Sequence, residues 1–286
     1  MTAPATLRRL CTDTPFLLEG ALAAMLRQST LLGPPYGGPQ AAEHPLLKAM
    51  RERLRPQIER AGDLAIVPVA GALARRPDPV EMAFGDFEDT DSIRSLVEQA
   101  AADSDVSGIL LDVDSPGGFY TGGPELADAV RSAGKRKPVV AWTGGMMASL
   151  AYWVGSQATQ VVASRSATVG SIGVFIALYD VTKLFDAFGV RVELFKNKEG
   201  SLKAAGLPGT SLSDAQREHF QERAQAAFEE FRKTVQSARA GVPAEAMRGQ
   251  TFSGVEAKGV GLVDRIGDRA FALSALRALV RERSRT

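Results

Sequence analysis

The segment Gly108-Ile-Leu-Leu-Asp-Val-Asp-Ser-Pro-Gly-Gly118 opens as a continuous apolar run and ends in turn residues. A helical pattern follows it at Gly122 to Ser132. Short apolar runs bounded by glycine and proline are typical of strands buried on both faces. Further strands are predicted at Leu64 to Val69, Val139 to Trp142, Gln160 to Ala163 and Val190 to Phe195, and helices at Thr90 to Ala102, Ala148 to Ala158 and Val181 to Phe188. This alternation predicts an α/β fold with a largely parallel sheet covered by helices.

The ends of the chain differ from this pattern. Residues 1–61 predict a helical N-terminal extension: a helix after Thr14, a Pro/Gly-rich break, and a charged helix around His44 to Ala61. A long helix is predicted from Ser213, because Ser213 and Gln216 have capping-box spacing. We therefore expect an extension over 1–61, a main domain over 62–272, and a C-terminal helix and tail over 273–286.

Composition excludes several classes of protein. The 286 residues are 45% hydrophobic and 23% charged, with a net charge of +1, and short separated basic clusters disfavour nucleic-acid binding. The single cysteine, Cys11, fits a reducing compartment. The best N-terminal apolar run contains Glu19 and is too short to span a bilayer, which predicts a cytoplasmic protein without an integral membrane anchor. With no His/Cys cluster and no phosphate-binding loop, we expect no metal and no cofactor.

Ser149 is the first candidate for chemistry. It lies in Thr143-Gly-Gly-Met-Met-Ala-Ser-Leu-Ala-Tyr-Trp153, where a strand pattern ends at two glycines and a helix begins. A serine at a helix start commonly caps backbone amides, and this interpretation stays open. The alternative is a nucleophile, although the context Ala148-Ser149-Leu150 lacks the flanking glycines of a Gly-x-Ser-x-Gly nucleophile elbow, which argues against an α/β-hydrolase.

A serine nucleophile needs a base, and the chain offers only His44 and His219 besides its lysines. A lysine serves at neutral pH only when burial lowers its pKa. Lys203 is the candidate, because its neighbours Leu202, Ala204, Ala205 and Leu207 are apolar, although surface exposure is the usual fate of a lysine. The turn Asp112 to Gly118 offers backbone N–H groups that can stabilise an oxyanion, or is simply a tight turn.

The order of these motifs resembles a known family. The run Gly108 to Gly123, the Ala-Ser-Leu-Ala-Tyr context of Ser149, the segment Thr168 to Val174 and Gly200-Ser-Leu-Lys203 are similar in order and spacing to the protease IV family. This is the signal peptide peptidase A group, which includes phage capsid-assembly proteases. The resemblance covers about residues 62–270.

The resemblance implies a fold of stacked βαβ units like that of the crotonase and Clp-protease superfamily. It implies Ser149 as nucleophile, Lys203 as general base, the amides of Gly118 and Leu150 as oxyanion hole, and Ser171 as the residue that orients the lysine. It also implies a peptide or unfolded protein substrate. We further expect a homo-oligomer, with an octamer as one expected size, whose dyad is completed between subunits.

Three functions remain in competition at this point. The first is a Ser/Lys endopeptidase that acts in prophage capsid maturation or as a cytoplasmic signal-peptide-peptidase-like enzyme. The second is a crotonase-like acyl-CoA enzyme, for which Glu125 is the nearby acid/base candidate. The third is a non-catalytic ring scaffold.

Overall fold

The computed structural model describes residues 56–77 and 87–285. The helices predicted before residue 56 lie outside the described residues. Within the predicted helix that ends at Ala61, however, Glu59–Ala61 form a strand. This part of the helix prediction is wrong, because Gly62, at φ +70°, turns the chain into a hairpin with the next strand.

The described elements are seven α-helices, one short 3₁₀ helix (Ala244–Ala246) and ten strands. The strands are β1 (Glu59–Ala61), β2 (Leu64–Ala74), β3 (Phe87–Asp89), β4 (Gly108–Gly118), β5 (Val139–Thr143), β6 (Met146–Ala148), β7 (Gln160–Ala163), β8 (Thr168–Gly170), β9 (Thr251–Ser253) and β10 (Arg265–Ile266). The helices are α1 (Thr90–Ala102), α2 (Gly123–Arg136), α3 (Leu150–Gly155), α4 (Thr182–Ala187), α5 (Asp214–Ala238), α6 (Gly254–Gly259) and α7 (Arg269–Arg283). The mixed α/β class expected from the alternation is confirmed.

The main sheet is parallel at its centre. β4 pairs in parallel with β2 on one side and β5 on the other, and β7 and β10 continue the sheet beyond β5. β1 is antiparallel to β2, and β3 is parallel to its far end. The predicted parallel core is therefore confirmed.

β4 is longer than the sequence pattern predicts. The apolar run that predicts this strand ends at Val113, whereas β4 continues to Gly118. Its register against β2 shifts between Ala70 and Ala72, and Ser115 there pairs with Met147 of β6 instead. Pro116 cannot donate a ladder hydrogen bond, so a bulge at this point bends the strand without losing a bond.

The bend lets β4 belong to two sheets. β6 pairs in parallel with β4 and β8, and β8 pairs antiparallel with β9. Gly144 and Gly145 carry the chain from β5 in the first sheet to β6 in the second. β6, which ends at Ala148, thus lies in the second sheet, beside the point where β4 leaves the first. In open parallel sheets, ligands collect beyond the carboxyl ends of strands that separate in this way.

Helices cover both faces of the main sheet. α1, α2 and α3 bury a large cluster that includes Ile93, Leu126 and Tyr152 against alternate residues of β2 and β4. α7 covers the other face through Ala272 and Leu276, which pack against Leu64, Leu110 and Val140. Buried apolar area of this kind is the main stabilising contribution to the fold.

Two helix caps illustrate what short-range patterns predict. The Ser213 backbone N–H donates to Gln216 Oε1 at 3.0 Å and the Gln216 N–H donates to Ser213 Oγ at 3.3 Å, which confirms the predicted capping box of α5. At α1 the cap is Asp89, whose carboxylate accepts from the Asp91 N–H.

The described residues divide into two compact units, of which the smaller is Phe175–Ala224 and the larger holds the rest. Only Ala205 and Gln216 are buried in the smaller unit. The strand predicted at Val190 to Phe195 is wrong, because this segment makes no strand pair, and Phe195 is 89% exposed. No helix in 56–77 or 87–285 is both long and apolar enough to cross a membrane.

Candidate active site

Ser149 occupies a strained turn between β6 and α3. Its backbone has φ +50° and ψ −124°, a region that side chains other than glycine rarely adopt. The turn is held from both sides, because the Ser149 N–H donates to Gly170 O at 2.8 Å and Ser149 O accepts from the Trp153 N–H at 3.0 Å. The Ser149 hydroxyl makes no capping bond to α3, so the capping interpretation is wrong.

This turn has the character of a nucleophile elbow without its usual glycines. A sharp strand-to-helix turn lifts the serine hydroxyl clear of the backbone. Ala148 and Leu150 are 4% and 3% exposed, whereas Ser149 is only half-buried. The hydroxyl group is therefore accessible while the residues on either side are fixed in the core.

Gly117 provides the close approach that this elbow requires. A Cβ atom added at Gly117 would lie 2.7 Å from Ser149 Cβ, 2.8 Å from Leu150 N and 2.9 Å from Ala148 O. Gly117 also has φ +102°, and its N–H donates to the buried Ser115 Oγ at 3.1 Å. The absence of a side chain at Gly117 thus leaves space in front of the Leu150 amide.

Gly118 packs against Leu73 of β2 and not against the turn at Ser149. It pairs with Leu73 of β2, and a Cβ atom at Gly118 would collide with Leu73 O at 1.9 Å. Leu150 is the first residue of α3, where a helix amide has no partner within its own helix. The leucine side chain points away from the turn, because a Cβ atom at Gly123 would lie 2.3 Å from Leu150 Cδ1.

Ser171 lies beside the elbow. It follows Gly170, whose carbonyl accepts the Ser149 N–H, and its own N–H donates to Gln250 O at 2.8 Å. Ser171 has φ +52° and is half-buried. The larger unit therefore brings Ser149, Ser171 and the glycines of β4 together at the carboxyl ends of β4, β6 and β8.

Lys203 belongs to the smaller unit. It lies in a turn closed by the hydrogen bond from its own N–H to Gly200 O at 3.0 Å and held by Gln216 Nε2, which donates to Ser201 O at 3.2 Å. Its side chain is exposed, and Leu202 beside it is 40% exposed. Among the apolar residues that flank Lys203, only Ala205 is buried.

Backbone strain marks these positions. Four non-glycine residues in the described part of the chain have positive φ: Arg76, Ser149, Ser171 and Ala204. Two of them are the predicted nucleophile and the predicted orienting serine, and a third follows Lys203 directly. Sparsely populated backbone conformations persist where the surrounding structure enforces them, and they cluster at functional sites.

Comparison with known proteins now identifies the group. Residues 131–282, more than half of the chain, match the family described as peptidase family S49. The chain belongs to peptidase family S49. The matched range contains Ser149, Ser171 and Lys203 and begins after the glycines of β4.

Individual S49-related proteins resemble the chain over much of its length. It is 34% identical over 188 residues to a protein of Methanocaldococcus jannaschii that is named as a protease, covering 65% of this chain and 60% of that protein. It is 32% identical over 217 residues to capsid assembly protease C of Escherichia phage lambda, covering 75% and 48%. It is 31% identical over 226 residues to protease 4 of Salmonella typhi, covering 75% and 34%. The chain thus spans between about a third and three fifths of these relatives.

Sequence reasoning missed two residues that shape the turn at Ser149. Gly117 was one of two adjacent glycines, and only the distance to Ser149 distinguishes it from Gly118. Asp114 was the other: its Oδ1 accepts from the Met146 N–H at 3.0 Å and lies against Gly145, which fixes the turn before β6. Its position in the segment Asp112 to Gly118 was the available signal.

Glu125, the acid/base candidate of the crotonase-like alternative, is exposed in the first turn of α2. It lines a groove of about 300 Å³ between α1 and α2.

Proposed function

We propose that the chain is a serine endopeptidase with a Ser/Lys dyad, built on a fold of the crotonase and Clp-protease type. Ser149 is the nucleophile and Lys203 is the general base. The amides of Gly118 and Leu150 form the oxyanion hole, and Ser171 orients the lysine amine. The substrate is a peptide or an unfolded protein segment.

One observation carries the proposal. The Ser149 hydroxyl is accessible at a strained turn and is not used as a helix cap, although a cap is the ordinary role of a serine at this position. Family membership supports peptide-bond chemistry, and the open space at Gly117 leaves room for a carbonyl oxygen near the Leu150 amide.

The proposed reaction proceeds through an acyl-enzyme. The Lys203 amine takes the Ser149 proton as Oγ bonds to the scissile carbonyl carbon, and the amides hold the oxyanion that forms. The lysine then gives its proton to the departing amine as the C–N bond breaks. A water molecule attacks the ester with Lys203 again as base, and the proton returns to Ser149 as the product acid leaves.

We further propose that a second copy of the chain completes the site. Of the thirteen large hydrophobic residues that are exposed in the described part of the chain, nine lie in the smaller unit, and Phe175 and Phe195 are 86% and 89% exposed. Apolar surface of this extent is typical of protein interfaces. An assembly, for which an octamer is one expected size, would cover this surface and remove water from Lys203, as a neutral amine requires.

The names of the relatives suggest two biological roles. Among the relatives are a capsid assembly protease and proteins named protease 4, so we propose either prophage capsid maturation or turnover of signal peptides and other unfolded segments. The single cysteine favours action in the cytoplasm.

The dyad is tested with Ser149→Ala, Lys203→Ala and the matched control Lys198→Ala, an exposed lysine in the same unit. Cleavage of a denatured test protein is followed by mass spectrometry, and Ser149 is labelled with a fluorophosphonate. We expect the first two variants to lose activity by about 10⁴-fold and the control to keep it. Undiminished cleavage by Ser149→Ala would remove the proposed function, and failure of the probe to label Ser149 would support a scaffold.

Sharing of the site between subunits has a separate test. Ser149→Ala and Lys203→Ala chains, each inactive alone, are co-expressed and purified together. If each dyad joins two subunits, random assembly restores about a quarter of the sites in a symmetric ring. No recovery in the mixed assembly would place both residues of a dyad in one chain.

A further inference from the structure

The loop that leaves β4 carries two aromatic residues directly after Gly118. The Phe119 N–H donates to Leu73 O at 2.8 Å, and its ring stacks on Phe87 with centroids 5.7 Å apart. Tyr120 packs against a different ring: its centroid lies 6.1 Å from that of Trp153. Tyr120 is thus two residues from the proposed oxyanion glycine and in aromatic contact with α3, the helix that follows Ser149.

Trp153 connects that helix to α5. Its indole stacks face to face on Phe231 with centroids 4.5 Å apart and planes 5° from parallel. Trp153 and Phe231 are 2% and 1% exposed. The indole nitrogen is buried with no hydrogen-bond partner in the described chain, so stacking rather than a hydrogen bond determines where the ring lies. The backbone N–H of Trp153 donates to Ser149 O, and this bond connects the position of the residue to the turn at Ser149.

A hydrogen bond closes this aromatic column of Tyr120, Trp153 and Phe231. The Tyr120 hydroxyl donates to a carboxylate oxygen of Glu230, the residue before Phe231 on α5. Both side chains are exposed, so water competes for this bond, and the geometry it fixes matters here more than its strength. The loop after Gly118 and the helix after Ser149 therefore both take their positions from one short stretch of α5.

We infer that Tyr120 and Glu230 are positioning residues for catalysis: their hydrogen bond sets the separation between the Ser149 elbow and the oxyanion strand. This inference rests on the proposed function. An oxyanion hole stabilises the transition state only when its donors lie at the position that the developing charge will occupy. Loosening the Tyr120 anchor lets Gly118 move relative to Ser149.

The expected signature is a change in kcat without a change in KM. Removal of an oxyanion donor costs 10²- to 10³-fold in kcat, and displacement costs less, so we expect about a tenfold loss for Tyr120→Phe and for Glu230→Ala. Tyr120→Phe keeps the aromatic contact with Trp153 and loses only the hydroxyl. Glu230→Gln keeps an oxygen that accepts the Tyr120 hydrogen and should retain most of the activity.

The test measures kcat, KM and thermal midpoint for these variants, and the affinity for a peptide aldehyde, whose adduct with serine carries an oxyanion. Glu229→Ala is the matched control, because Glu229 neighbours Glu230 on α5 but pairs with Arg232. We expect kcat and aldehyde affinity to fall together by about tenfold in Tyr120→Phe and Glu230→Ala, with KM within twofold. The double variant should lose no more than either single variant, since both remove one interaction.

Other outcomes overturn the inference. Unchanged kcat in both single variants, additive losses in the double variant, or a rise in KM at constant kcat would each contradict a positioning role. A fall in thermal midpoint without any change in kcat would mean that the bond only stabilises the fold. Activity that survives in Ser149→Ala would instead remove the proposed function, so the two failures are distinguishable.

Discussion

Gly117→Ala is the sharpest perturbation of the elbow. The added methyl group would meet Ser149 Cβ at 2.7 Å, which is about 0.7 Å short of an ordinary contact at 3.4 Å. It would also meet Leu150 N and Ala148 O at 2.8 and 2.9 Å, and these backbone atoms cannot rotate away. The elbow must therefore move by several tenths of an ångström, away from β4.

Two costs follow from this movement. Positive φ at an alanine costs about 1–3 kcal/mol, and overpacking a tight site costs about 1–3 kcal/mol more, so the free energy of unfolding should fall by about 2–6 kcal/mol. Displacement of a reacting group by about 1 Å can cost 10²-fold in rate, so kcat should fall by about 10- to 100-fold.

Gly62→Ala separates the two costs. Gly62 also has positive φ, +70°, but a methyl group there meets nothing within 4 Å. It should lower stability by about 1–2 kcal/mol and leave kcat unchanged. The assay compares urea unfolding, kcat on a denatured protein and the rate of fluorophosphonate labelling, all below the unfolding transition. Gly117→Ala protein with kcat within twofold of the unaltered chain would refute the close-packing argument.

Two further predictions concern buried groups of the larger unit. Burial, with repulsion from Asp89 as a smaller cause, raises the pKa of Glu88 from 4.5 to about 7, so the folded chain binds more protons between these values and stability falls as pH rises through that window. Glu88→Gln should remove this fall in stability, so the thermal midpoint of the variant should exceed that of the unaltered chain at pH 8 but not at pH 4. An equal difference in thermal midpoint at both pH values would contradict a raised pKa of Glu88. Tyr152→Phe deletes a fully buried hydroxyl that donates to Leu262 O at 2.9 Å, and urea unfolding should show a loss of about 1–3 kcal/mol, whereas a stability within 0.5 kcal/mol of the unaltered chain would mean that this bond contributes nothing net.

Local sequence patterns predicted the elements that have a strong local signal. Thr90–Ala102 was predicted to the residue, because apolar positions recur at helical spacing. The capping box at Ser213 was equally local. The strand at Val190 to Phe195 failed because an apolar run forms a strand only when another strand lies beside it, and that partner is a property of the fold.

The sequence by itself determined the α/β class, the family and the identity of Ser149 as the residue to test, because periodicity, turn chemistry and motif order are written along one chain. Only the tertiary structure decided that Ser149 does not cap its helix, that Gly117 rather than Gly118 faces the elbow, and that one stretch of α5 contacts both the helix after Ser149 and the loop after Gly118. These facts depend on atoms that lie far apart in sequence and on gaps of a few tenths of an ångström. Residue spacing along a chain does not encode distances of that kind; packing does.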